Sequence, residues 1–94
     1  MTRQDTYITQ MKKHLDELNA SMAALEAKAR AARADARDQY QAEMAKLRQQ
    51  SSLAVSKLEE LKAAGEDSWE KLVAEMEKLR DAFSHSFNYF KSQL

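Results

Sequence analysis

Two histidines, His14 and His85, are the side chains best suited to proton transfer or metal binding near neutral pH, and the chain holds no cysteine. Neither completes the Glu-x-x-His spacing of a di-metal bundle site or the His-Glu-x-x-His pair of a zinc protease. His14 and Glu17 offer two ligands one helical turn apart, too few for a buried metal. Ser84, His85 and Ser86 are consecutive, so on a helix they point in different directions and no base reaches a nucleophile. The adjacent carboxylates Asp16–Glu17 and Glu59–Glu60 diverge in the same way. A lone glycine, Gly65, cannot build a phosphate-cradling loop. No catalytic residue, cofactor or metal ligand is therefore expected, and the chain reads as a non-enzyme.

The densest cationic run is AKARAARADAR, residues 27–37, with Lys28, Arg30, Arg33 and Arg37. A nucleic-acid binder neutralises phosphates with such residues. Here Asp35 and Asp38 interrupt the run, and no aromatic side chain is interleaved for base stacking. The whole chain balances fifteen basic against fifteen acidic groups, so nucleic acid is disfavoured as a partner. The same stretch reads better as a small-residue helix contact. Ala29, Ala32 and Ala36 would let two backbones approach, while the cations snorkel off the seam.

What positions these residues is an almost wholly helical chain. With no proline, one glycine and an abundance of Ala, Glu, Lys, Arg, Leu and Gln, the 94 residues favour helix throughout. An apolar fraction of 44% argues against disorder despite 32% charged residues. Apolar or small residues recur at three-four spacing through Ile8, Met11, Leu15, Leu18, Met22, Leu25, Ala29, Ala32 and Ala36, the coiled-coil repeat. The seam continues through Tyr40, Met44, Leu47, Ser51, Ala54, Leu58 and Leu61. Two successive steps of four at 36, 40 and 44 form a stutter.

The only punctuation is AAGEDSWE, residues 63–70, where Gly65 could end a helix in the left-handed conformation and Asp67 could cap the next. A second stripe follows: Trp69, Leu72, Val73, Met76, Leu79, Phe83, Phe87, Phe90 and Leu94. The expected fold is all-α, a single coiled-coil domain over residues 1–94. A long helix over about 4–63, a turn at 64–67 and a shorter helix over about 68–92 would form a helical hairpin.

A first helix of that length would span roughly 90 Å and the second roughly 40 Å. The second would cover only half of the first, leaving Leu15, Leu18, Met22 and Leu25 bare. A second copy running antiparallel would cover them and create a three-helix bundle at each end. The expected homodimer interface is therefore Ile8, Met11, Leu15, Leu18, Met22, Leu25, Ala29, Ala32, Ala36, Tyr40, Met44 and Leu47. Trp69, Leu72, Met76, Leu79, Phe83, Phe87 and Phe90 would pack the second helix. The aromatics of FSHSFNYFKSQL, residues 83–94, read as core. The alternative is an amphipathic coat that inserts them into a lipid or granule surface, but only Lys91 supplies a nearby cation.

The segments YITQMKKHLDELN at 7–19, LEAKA at 25–29, Tyr40 and KLEELKAAGEDSWEKL at 57–72 resemble a group of short bacterial coiled-coil proteins linked to stress response. The likeness spans the chain, and AGEDSWEKL is its most specific part. Members often carry a second tryptophan about ten residues after the first, where this chain has Leu79. The resemblance implies a cytoplasmic, non-enzymatic, self-associating helical protein. An unidentified protein partner for the charged outer face stays open. The N-terminal MTRQDTYITQ has no apolar core of the kind a signal peptide needs, which agrees with a cytoplasmic location.

Overall fold

The helix-forming composition is realised as three α-helices in the computed structural model, which describes residues 3–93. They are α1 (Arg3–Arg30), α2 (Ala34–Ala63) and α3 (Glu66–Gln93). Leu94, the last member of the second stripe, lies outside the described residues.

The long helix expected over 4–63 is broken at residues 31–33, and this is the main correction to the sequence reading. Ala31 N–H still donates to Ala27 O at 3.2 Å, and Ala32 N–H closes a tighter turn onto Ala29 O at 3.3 Å. Arg33 is extended (φ −60°, ψ 149°), and α2 starts without a side-chain cap. Nothing in the local residue types demands this break. Tertiary burial does, because α1 folds back along α2 and hides its own seam.

The molecule measures 50 × 20 × 18 Å instead of the roughly 90 Å of an unbroken first helix. Met11, Leu15, Leu25 and Ala29 become 4%, 1%, 3% and 6% exposed. Burying each Leu or Met side chain stabilises the fold by about 1.5–3 kcal/mol. A lost helical hydrogen bond costs about 1 kcal/mol net, so burial wins over propensity. Charge placement suits the break. Lys28 and Arg30 sit in the last turn of α1 and Asp35 in the first turn of α2, each complementing its helix dipole.

Two cross-helix contacts fix the topology. Asn19 meets Ser51 and Glu26 meets Arg48, so rising numbers in α1 match falling numbers in α2, as in an antiparallel pair. Tyr7 packs edge-on against Trp69 with ring centroids 5.7 Å apart, which places the start of α1 beside the start of α3. The helices run up, down and up.

The second turn is shorter than expected. Ala64 is extended (φ −76°, ψ 142°) with its N–H on Leu61 O. Gly65 does not adopt a positive φ, so the left-handed helix end is corrected. Ser68 N–H donates to Gly65 O and α3 begins at Glu66. Asp67 therefore lies inside the first turn, where it acts through the helix dipole instead of as the cap.

Met44, Leu47, Ala54, Leu58 and Leu61 of α2 and Met76, Phe83, Phe87 and Phe90 of α3 complete the core. Ile8, Leu18, Met22, Tyr40, Trp69, Leu72, Val73 and Leu79 are partly buried against it. The expected dimer-interface residues Met11, Leu15, Leu25, Ala29, Met44 and Leu47 are thus buried inside one chain. The bare seam that called for a second copy does not exist in this conformation. Ala32 and Ala36, assigned to the crossing of two long helices, are half-buried at the α1–α2 turn. The C-terminal aromatics are core, with Tyr40 and Phe90 in an edge contact at 5.6 Å and Tyr89 left exposed.

Candidate functional site

The residues with the most recognisable chemistry gather at the end of the bundle where α1 turns into α2. Reversal at 31–33 divides the cations of residues 27–37 between two sides. Lys28 and Arg33 line a shallow depression together with Asp35 and Tyr40. Arg30 and Arg37 face the other side and meet Arg48, which lies more than a turn further along α2. A groove of 490 Å³ opens there, lined also by Glu26, Ala29, Gln41 and Met44.

Three guanidinium groups in this groove face a single carboxylate. Glu26 Oε1 forms an ion pair with Arg48 across the helix pair and accepts from Arg30 Nη2 at 3.5 Å within α1. Arg37 donates its Nε to Ala32 O at 3.0 Å, which ties its side chain to the turn. Its terminal nitrogens have no protein partner among the described residues. The groove thus carries a formal surplus of two positive charges, three arginines against Glu26.

The remaining polar features are structural. Lys57 donates to Glu75 at 2.8 Å and to Glu60 at 2.9 Å, tying α2 to α3. These bonds, that to Glu75 first, raise the pKa of Lys57. The hydrogen bond from Lys57 and its charge hold Glu75 below the usual carboxylate range. The hydroxyl of Tyr7 is buried without a hydrogen-bond partner among the described residues, and burial, aided by Glu77, raises its pKa.

His14 and His85 are both exposed. No group of three or more His, Cys, Asp or Glu able to hold a metal occurs among the described residues. No helix among them is long and apolar enough to cross a membrane.

Arg48 is the member of the groove that sequence reasoning missed. It joins Arg30 and Arg37 only because the chain folds back, so linear spacing carries no trace of the cluster. The charge pattern around 31–33, basic then acidic, was the one legible hint of a helix end. Comparison with protein-family models, curated proteins and solved structures finds no match for this chain.

Proposed function

We propose that the chain is a non-enzymatic, self-associating helical protein that forms a homodimer by exchanging α1, in a structural or interaction role. The hinge at 31–33 carries this reading. It contains neither glycine nor proline, has no positive φ and lacks a side-chain cap. The apolar repeat runs through it without a break, from Ala29 to Ala32 to Ala36. Such a hinge can be rewritten as helix at little local cost, since alanine and arginine are strong helix formers.

Opening it joins α1 and α2 into one helix of about 60 residues, roughly 90 Å long. Each α1 then docks on the α2–α3 pair of a second copy through the same contacts used in one chain. Met11, Leu15 and Leu25 fill the same core, Asn19 meets Ser51, and Glu26 meets Arg48. Because those contacts are equal in the two forms, the hinge and the entropy of association set the balance. The stress-linked part of the proposal rests on the sequence resemblance alone.

Deletion of residues 31–33 tests this directly. Without them α1 cannot reverse onto its own α2, and an obligate dimer at every concentration is the expected result. A folded monomer would overturn the exchange.

A further inference from the structure

We infer that the groove between Arg30, Arg37 and Arg48 binds a phosphate dianion, as inorganic phosphate or as a phosphomonoester head group. This goes beyond self-association and belongs to the closed hairpin, whose turn at 31–33 anchors Arg37 beside Arg30 and Arg48. Three observations converge.

The first is chemical. Guanidinium forks match the geometry of phosphate oxygens and bind them in pairs. Arg30 and Arg48 both pair with Glu26 Oε1, which brings their guanidinium groups to one side of the groove. An anion on that side meets both.

The second is the surplus. A structural ion-pair network would be expected to balance its charges, and this one does not. Asp35 lines the opposite depression, leaving Glu26 to face three cations. Arg37 is anchored through Nε, yet its terminal nitrogens have no protein partner among the described residues. That pre-organises a donor pair for an occupant.

The third is shape. The groove holds 490 Å³, ample for a phosphate with a small organic substituent. Met44 and Ala29 supply an apolar floor and Gln41 a neutral donor. These features favour a compact phosphoester over an extended polyanion, which would need a longer cationic track and stacking aromatics.

The test is a titration of the intact chain, followed by amide chemical shifts, with inorganic phosphate and separately with phenyl phosphate. Sodium chloride at matched ionic strength is the control. Saturable shifts confined to residues around Glu26, Arg30, Arg37, Gln41 and Arg48 are expected with phosphate and not with chloride. Arg37→Gln and Arg48→Gln should each weaken binding about tenfold, the worth of a lost charge-assisted hydrogen bond. Glu26→Gln should strengthen it, since it removes the competing carboxylate. Lys12→Gln, which removes a cation remote from the groove, should leave it unchanged.

Vesicles of phosphatidic acid in phosphatidylcholine distinguish the sources. Vesicle binding abolished by Arg37→Gln would assign the dianion to a lipid head group, and binding of phenyl phosphate alone would assign it to a soluble phosphoester. Shifts that chloride reproduces, or affinities that the arginine variants leave intact, would overturn the site.

Discussion

Ser51 Oγ donates a 2.6 Å hydrogen bond to Asn19 Oδ1, linking the middle of α2 to the middle of α1. Ser51 is 8% exposed and is the single buried polar residue among the described positions. It occupies a seam position where the repeat otherwise places apolar side chains. A lone polar pair at such a position specifies register, because slippage would leave it unpaired in the core. Ser51→Ala should cost about 1 kcal/mol in urea unfolding, since it leaves the Asn19 carbonyl without its donor. An unchanged midpoint would show that water satisfies Asn19 as well as Ser51 does.

The opposite sign is expected at Tyr7. Its ring packs on Trp69, but its hydroxyl is buried with no partner among the described residues. Tyr7→Phe keeps the edge-on aromatic contact and removes an unsatisfied group, so stability should rise by about 1 kcal/mol. Trp69 is the only tryptophan, and its fluorescence during unfolding reads the change locally. A destabilised variant would mean that the hydroxyl has a partner in solution.

Gly65 offers a second gain. It precedes α3, has no positive φ, and a Cβ built there meets nothing within 4 Å. Gly65→Ser adds an N-cap acceptor and restricts the unfolded chain, which together should raise stability by about 1 kcal/mol. A lower melting temperature would restore the left-handed helix end that the sequence suggests.

The Lys57–Glu75 bridge sets a pH window. Glu75 has a lowered pKa, so its contribution is present above the ordinary carboxylate range and is lost as pH falls through the folded value. Lys57 has a raised pKa, so its contribution is present below the ordinary lysine range and is lost as pH rises through the folded value. The bridge therefore acts across the neutral range and fades at both extremes. Lys57→Gln should lower the melting temperature near neutrality and flatten its acid slope. A parallel displacement at every pH would assign the loss to packing of the lysine stem.

How far the sequence speaks depends on what each feature rests upon. Helix content and the two apolar stripes are local, set by residue types and 3.5-residue spacing, and the helices carry them. Phe83, Phe87 and Phe90 sit in the core for the same reason. The break at 31–33 is not local. AKARAARADAR is built mainly from strong helix formers, and the burial of Leu15 and Leu25 decides otherwise. Gly65 misleads in the other direction, since a glycine permits a positive φ without requiring one. The arginine groove needs the fold itself, because Arg48 reaches Arg30 and Arg37 only across the hairpin.

Exchange of α1 requires hinge 31–33 to have two states, and Arg33→Pro separates them. Arg33 has φ −60°, which proline adopts without strain, and its N–H donates to no backbone carbonyl among the described residues. Proline there suits the closed hairpin but breaks a continuous helix, at a cost of about 3 kcal/mol. Sedimentation velocity over a range of concentrations should show a monomer–dimer equilibrium for the natural chain and a compact monomer throughout for Arg33→Pro. Equal dimerisation of the two proteins would contradict exchange of α1 and place any self-association on the outer surface of the closed bundle.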